Sequence, residues 1–153
     1  MNVNAEKYLG QLYKLNNLIQ SDKEELEEIR SLATSISNDI SQERVQTSTS
    51  NDKMTDIIAK IVDLENEIKE EIKKFIDLKK EVRDIISQVE DVDERLFLRY
   101  RYINFYQWKG IISAMKCSNT QIQRIRDKAL KSVEQILQNR NKTEQLETNC
   151  NKL

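Results

Sequence analysis

The chain has 153 residues, of which 33% are charged and 38% hydrophobic, and no apolar run approaches the roughly 20 residues that a membrane-spanning helix needs. The formal net charge of −1 taken alone argues against a nucleic-acid partner. The absence of proline and the presence of only two glycines remove the residues on which tight sheet turns depend. We therefore expect an all-α fold without a membrane partner.

The first two predicted elements are long helices whose apolar residues alternate steps of four and three. The first stripe contains Tyr8, Leu12, Leu15, Ile19, Leu26, Ile29, Ala33 and Ile36. The second contains Met54, Ile57, Ile61, Leu64, Ile68, Phe75, Leu78, Val82, Ile85 and Val89. Asp22 and Glu71 interrupt the two stripes once each. A spacing that averages about 3.5 residues is typical of a coiled coil.

A stretch rich in Ser, Thr, Asn and Asp separates these helices. Residues 37–51 have no helical periodicity and indicate a loop, with Asn51 or Asp52 as a suitable N-cap for the second helix. Folding the helices back about residue 46 or 47 aligns their stripes and places Asp22 opposite Glu71. The pattern over residues 1–90 therefore predicts a long antiparallel coiled-coil helical hairpin with a loop at about 37–52. The layer where the two carboxylates meet is expected to be weak.

The apolar stripes are wider than one partner helix covers. The additional apolar positions are Leu9, Leu18, Leu32, Ile58, Val62, Ile72, Ile76 and Ile86. The simplest way to cover them is a homodimer through the long helices, although packing of three or four helices within one chain would also cover them.

The segment that follows, residues 91–106, interleaves aromatic and basic side chains. Asp91 or Asp93 can cap a new helix there. The aromatic residues either form a stacking platform for single-stranded nucleic acid or fill the thin core of a small three-helix domain, and we favour the core. Trp108 is then expected to anchor the helix that begins beside it.

Residues 105–130 predict a short helix, a tight turn and a second helix, which together form a helix-turn-helix. The expected inner positions are Ile111, Met115, Cys117, Ile122, Ile125 and Ala129. The outer face, which also carries Asp127, offers amide, hydroxyl and basic side chains that can hydrogen-bond base edges and phosphates of duplex DNA. The expected DNA-binding residues are Gln107, Lys109, Ser118, Asn119, Thr120, Gln123, Arg124, Lys128 and Lys131.

The charge is divided unevenly along the chain. Residues 1–91 hold 13 Lys and Arg against 20 Asp and Glu, a balance of −7. Residues 92–142 hold 11 against 4, a balance of +7. Such an asymmetry indicates nucleic-acid contact by the basic part, and the alternative is mutual attraction of the two parts within one bundle.

A further pattern extends over residues 92–137. Its members are Leu98, Arg101 and Tyr102, followed by Ile111, Ser118, Ile122, Ala129 and Leu130. This pattern resembles region four of bacterial primary-type sigma factors. Nearly the whole chain is similar to phage and prophage sigma-like transcriptional regulators related to the ArpU-type autolysin regulators. The matching stretches are 43–54, 60–68, 78–82, 101–104, Trp108 and 118–130. The resemblance implies transcriptional control of phage late or lysis genes by a helix-turn-helix domain at about 91–140. The pattern departs from many such motifs at Ile112 and at Lys116, where a left-handed conformation would cost roughly 1 kcal/mol.

Enzymatic activity is not expected. The chain has no histidine, no phosphate-cradling glycine loop and no paired-cysteine spacing, so we expect no catalytic residue, metal or cofactor. The two cysteines and the absence of a signal-peptide pattern favour a reducing cytosol, and the resemblance to phage regulators implies the cytoplasm of a bacterial host cell. Residues 141–153 are expected to form a disordered tail. The alternative function is a helical scaffold whose basic domain binds a protein, such as RNA polymerase, rather than DNA.

Overall fold

The computed structural model describes residues 4–42 and 48–150, with side chains described for residues 4–39 and 52–150. Every regular element within these ranges is a helix, which confirms the all-α fold. The elements are α1 (Ala5–Leu9), α2 (Gln11–Gln42), α3 (Ser48–Ser87), α4 (Val92–Leu98), a π-helical segment (Arg99–Ile103), α5 (Trp108–Met115) and α6 (Asn119–Cys150). None of the described helices combines the length and the apolarity that crossing a bilayer requires.

The described residues form two compact units. One unit, which we call the hairpin unit, is Leu15–Ile76. The other, the helix-turn-helix unit, combines the described residues of Met1–Lys14 with those of Asp77–Leu153. The structure therefore groups α1, the first residues of α2 and the end of α3 with the helix-turn-helix, whereas the heptad pattern assigned all of residues 1–90 to the hairpin.

The helices of the hairpin unit run antiparallel. Asp22 is hydrogen-bonded to Glu71, and Arg30 Nη2 donates to Glu65 Oε1 at 2.5 Å. Residues later in α2 therefore contact residues earlier in α3. Asp22 lies opposite Glu71, as the aligned stripes predict. Leu26 and Ile68 are buried on either side of this seam. Burial of these a- and d-type positions is what holds two otherwise polar helices together.

Both helices extend into the stretch expected to be a loop. α2 continues through Gln42 and α3 begins at Ser48, so the prediction of a loop over 37–52 was wrong for residues 37–42 and 48–52, and residues 43–47 lie outside the described residues. Asn51 and Asp52 are within α3 and do not cap it. The stretch contains no Gly or Pro, and a modest helix propensity in Ser, Thr and Asn is too weak to end a helix by itself.

The end of the chain also differs from expectation. α6 continues to Cys150, so residues 141–150 are helical rather than a disordered tail. Arg140 Nε pairs with Glu144 at 3.2 Å, and the hydroxyls of Thr143 and Thr148 donate to carbonyls one turn earlier. The Arg140–Glu144 pair favours the helix in a segment whose side chains are all exposed.

The Asp22–Glu71 layer is the polar break in the hairpin seam. Desolvation raises the pKa of Glu71 above its usual value, and the hydrogen bond and negative charge of Asp22 raise it further. Glu71 Oε2 is shielded from solvent and has no hydrogen-bond partner. The layer therefore favours a protonated Glu71, since only a protonated carboxyl can donate to the carboxylate that faces it.

Replacing Glu71 by glutamine should stabilise the chain at pH 7 by roughly 0.5–1 kcal/mol, because the amide donates to Asp22 without carrying charge. The folded state holds the Glu71 proton more tightly than the unfolded state does. The stabilisation that comes from this bound proton is complete at pH values below the pKa of Glu71 in the unfolded chain. It is lost as the pH rises through the pKa of Glu71 in the folded chain. The advantage of Glu71→Gln should therefore shrink at pH 4.

Thermal unfolding followed by circular dichroism at pH 4 and pH 7 measures this difference. Glu70→Gln is the matched control, because Glu70 is exposed and pairs with Lys73 at 3.0 Å on the solvated face. An equal pH dependence of the two variants would contradict the assignment of Glu71 as the perturbed carboxyl.

The core of the helix-turn-helix unit draws on both ends of the chain. Leu9 and Leu12 from the start of the chain are fully buried, as are Val82 of α3 and Leu98 of α4. Tyr8 Oη donates to Glu81 Oε1 at 2.6 Å, and this hydrogen bond lowers the pKa of the Glu81 carboxyl. A shared apolar core thus holds residues 4–14 against the helices that follow the hairpin.

Candidate nucleic-acid interface

The first motif helix, α5, is anchored at its first residue. Trp108 packs edge-to-face on Phe97, with ring centroids 6.1 Å apart. Its indole N–H donates to Asn119 Oδ1 at 2.6 Å, which joins the start of α5 to the start of α6. Ile111, one turn further along α5, is fully buried. The expectation that Trp108 anchors this helix is therefore confirmed.

The turn between α5 and α6 contains a left-handed residue. Lys116 has φ 54° and ψ 38° and ends α5, in the conformation for which many helix-turn-helices use Gly or Asn. Its side chain is exposed, and Cys117 beside it is half-buried with its thiol donating to the Met115 carbonyl at 3.3 Å. The tight turn is therefore formed at a conformational cost that a residue with a Cβ must bear.

Replacing Lys116 by glycine should stabilise the chain by roughly 0.5–1 kcal/mol, because glycine adopts positive φ without steric cost and the exposed lysine makes no core contact. Urea unfolding monitored by circular dichroism measures the change. Lys109→Gly is the matched control: Lys109 lies within α5, so the same substitution there should destabilise by about 1 kcal/mol. Destabilisation by both variants would show that the turn conformation is not strained.

A capping box starts the second motif helix, α6. Ser118 Oγ accepts from the Gln121 backbone N–H at 3.2 Å, and Gln121 Oε1 accepts from the Ser118 backbone N–H at 3.0 Å. This reciprocal pair satisfies two backbone donors that the first turn of a helix leaves unpaired. Ser118 and Gln121 therefore set where α6 begins and how its first turn is oriented.

The two faces of α6 separate as the sequence pattern predicts. Ile122 and Ala129 are fully buried, and Ile125 is half-buried. The expected DNA-binding residues of the motif are all exposed: Ser118, Asn119, Thr120, Gln123, Arg124, Lys128 and Lys131. Asp127 is exposed on the same face. We call the face formed by Thr120, Gln123, Arg124, Asp127, Lys128 and Lys131 the basic ridge. On this ridge, hydrogen-bonding side chains lie near the start of α6, and three cationic side chains follow over the next three turns.

Two of the expected contact residues also have structural partners. Ser118 is the cap of α6, and Asn119 accepts the Trp108 indole hydrogen bond. Their side chains hold the two motif helices in place, which the sequence pattern did not indicate. Gln107 and Lys109 are exposed on either side of Trp108, and the Gln107 side chain makes no capping hydrogen bond to α5. The free first turn of α5 thus offers backbone N–H groups beside two polar side chains.

A cleft beside Gln107 adds two cations that the sequence analysis missed. It has a volume of about 360 Å³, and its charged lining residues are Lys14 of α2, Arg101 of the π-helical segment and Glu6 of α1. Tyr13 and Phe105 meet edge-to-face within it, with ring centroids 5.7 Å apart. No local pattern could place Lys14 here, because α3 and most of α2 separate it from α5 along the chain.

The aromatic segment divides between core and surface. Phe97 and Tyr102 are buried, as expected for residues that fill a thin core. Tyr100 and Tyr106 stack in parallel with centroids 5.0 Å apart, and Tyr106 stays exposed. This internal stack occupies one face of each ring, which leaves less aromatic surface for unpaired bases than the platform interpretation requires.

Within the part of the chain that the structure describes, no group of three or more His, Cys, Asp or Glu side chains is placed to hold a metal ion. The candidate interface consists of hydrogen-bonding and cationic groups on the basic ridge, at the start of α5 and in the adjacent cleft. Such groups can bind a ligand that presents an extended surface of negative charge and hydrogen-bonding atoms.

The helix-turn-helix lies within the part of the chain that matches a sequence family. A family model described as "Protein of unknown function (DUF1492)" matches residues 34–134. The chain belongs to this family. The match includes α3, α4, α5 and the basic ridge, whereas α1 and Lys14 precede it. No curated protein and no solved structure matches the chain.

Proposed function

We propose that this protein is a sequence-specific DNA-binding transcriptional regulator that places α6 in the major groove of duplex DNA. The observation that carries the proposal is the basic ridge, a helical face of exposed amide, hydroxyl and cationic side chains whose opposite face is buried in the core. A helix supported in this way can enter the major groove, which admits a single α-helix.

The residues divide by the part of DNA that each can reach. Thr120, Gln123 and Arg124 lie toward the start of α6, where a recognition helix contacts base edges. Lys128 and Lys131 lie further along the ridge and are assigned to phosphates. Gln107, Lys109 and the free first turn of α5 are assigned to the phosphate backbone, since a helix N-terminus favours anions. Ser118 and Asn119 orient the helix, with any base contact secondary to that role.

The cleft beside α5 extends the same interface. Two cations, Lys14 and Arg101, against the single carboxylate of Glu6 leave net positive charge next to Gln107. The phosphates reached from α5 would therefore also be approached from the start of α2. Lys14, which precedes the residues matched by the family model, would therefore increase the affinity for DNA without contributing to recognition of the base sequence.

The resemblance to sigma-factor region four and to ArpU-related phage regulators supports a role at promoters, and we propose control of phage late or lysis genes in the bacterial cytoplasm. RNA polymerase would be a second partner, and a homodimer would match paired half-sites. We propose no catalytic activity and no cofactor for this protein, since the chain has no histidine for acid–base chemistry near neutral pH.

A gel-shift measurement with duplexes selected from random DNA tests the proposal. Binding to the selected duplex should weaken roughly 100- to 1,000-fold between about 50 and about 200 mM salt, because roughly five phosphate contacts release counterions. A scrambled duplex of the same composition is the control for specificity. Absent or salt-insensitive binding would overturn the proposal.

One observation favours the alternative of a protein-binding scaffold. Asp127 lies within the basic ridge, where it repels phosphate unless it accepts from a cytosine amino group. In this alternative the ridge binds an acidic protein surface, such as one on RNA polymerase. Selection of a guanine–cytosine pair that Asp127→Asn then loses would support base readout over the scaffold.

A further inference from the structure

We infer that the outer flank of α3 carries a second coiled-coil seam through which two copies of this chain pair antiparallel. Six positions on this flank repeat with steps of four and three residues, each one residue after a position of the seam that α3 forms with α2. They are Ile58, Val62, Glu65, Lys69, Ile72 and Ile76. This is the spacing of a helix face that packs along another helix.

The apolar members of this seam are open within the described hairpin. Ile58, Val62 and Ile76 are 53%, 47% and 58% exposed, and Ile72 is half-buried. The seam extends for about 27 Å of helix at 1.5 Å per residue. Its two charged members border α2. Glu65 pairs with Arg30 of α2, and Glu65 and Lys69 both line the groove beside that ion pair. Apolar side chains exposed at heptad spacing indicate a helical partner rather than a small ligand.

The order of residues along the seam selects a second copy as that partner. The six positions are symmetric about residue 67, because 58 and 76, 62 and 72, and 65 and 69 are each equally distant from it. An antiparallel two-fold pairing centred there places Ile58 against Ile76 of the partner subunit and Val62 against Ile72 of the partner subunit. It also places Glu65 against Lys69 of the partner subunit. Every layer is complementary, and each occurs twice.

The other exposed flank of the hairpin lacks this complementarity. On α2, Leu18 and Leu32 are exposed seven residues before and seven residues after Glu25. The equivalent two-fold pairing would place Glu25 against Glu25 of the partner subunit, and like charges in the central layer oppose association. Charge therefore favours the α3 flank over the α2 flank.

This inference deepens the proposed function, for it specifies the surface of the homodimer which that function uses. Its observations lie wholly in the hairpin unit, so the dimer and the DNA contact can fail separately. A mass measurement without DNA tests only the seam, and a salt-dependent gel shift tests only the ridge.

Sedimentation equilibrium of the full chain measures the assembly. Wild-type protein should have a mass of about 36 kDa, twice the 18.1 kDa of one chain. Val62→Glu should weaken association by at least about 100-fold, because the charge enters two symmetric apolar layers. Leu32→Glu is the matched control on the α2 flank and should remain dimeric. A monomeric wild type, or dissociation of Leu32→Glu but not Val62→Glu, would overturn the inference.

Charge exchange tests the register. Lys69→Glu and Glu65→Lys each place like charges in two central layers, so each variant alone should associate about tenfold more weakly than wild type. An equimolar mixture should regain wild-type association, because in a mixed dimer every layer between positions 65 and 69 again joins opposite charges. Circular dichroism of each variant establishes that its helices are intact. Unchanged association of Lys69→Glu alone would exclude this register.

Discussion

Arg124→Ala should weaken binding to the selected duplex about 10- to 100-fold, corresponding to roughly 1–3 kcal/mol. Arg124 is exposed on the basic ridge one turn after Thr120, where its guanidinium can make a paired hydrogen bond to a guanine edge. Removal of that bond should also relax the preference at one base pair, whereas the salt dependence should change little. Competition gel shifts against single-base variants of the duplex measure both effects.

Arg83→Ala is the matched control, because Arg83 is an exposed arginine of the same charge that belongs to α3 rather than to the basic ridge. Its affinity should change less than twofold. Lys131→Ala completes the comparison: it should reduce the slope of log affinity against log salt by about one without changing the preferred sequence. Equal losses for Arg124→Ala and Arg83→Ala would indicate that only net charge matters and that the ridge reads no bases.

Ile122→Ala should destabilise the helix-turn-helix unit by roughly 2–4 kcal/mol. Ile122 of α6 and Ile111 of α5 are both fully buried, so truncation of Ile122 leaves a cavity in the apolar core of this unit. A loss of this size is a large part of the stability of a small unit and should abolish DNA binding at 37 °C.

Urea unfolding measures this cost, with Gln123→Ala as the matched control on the adjacent exposed position. The control should stay within about 0.5 kcal/mol of wild type. If the two units unfold separately, circular dichroism should show an early transition in Ile122→Ala, followed by loss of the remaining helix at the wild-type midpoint. A cost below about 1 kcal/mol would mean that Ile122 does not hold the inner face of α6.

Several features of the molecule were predictable because they depend on residues close together in the chain. The period of the apolar residues predicts the helices and the alignment of Asp22 with Glu71. Asp91 caps α4 by accepting from the Glu94 N–H at 2.9 Å, as a residue of its type before a helix should. The inner and outer faces of α6 follow from the same local rule.

Other features were mispredicted because the local signals are weak. Ser, Thr and Asn at residues 37–42 suggested a loop, yet nothing in that stretch breaks a helix, and α2 continues through it. Residues 141–150 are mostly polar, a composition that predicts disorder, whereas the Arg140–Glu144 pair and threonine hydroxyl bonds accompany a continuous helix. Composition distinguishes buried from solvated segments better than it distinguishes helix from loop.

The sequence by itself determined that the chain is helical, which face of each helix is apolar and where the basic residues concentrate, since these follow from spacing along a single helix. Only the tertiary structure decided that residues 4–14 pack with the helix-turn-helix, that Lys14 and Arg101 line one cleft, and that Asn119 is held by Trp108. The physical reason is that an apolar stripe requires burial without specifying its partner. The partner is chosen by long-range packing and by hydrogen bonds between residues far apart in the chain.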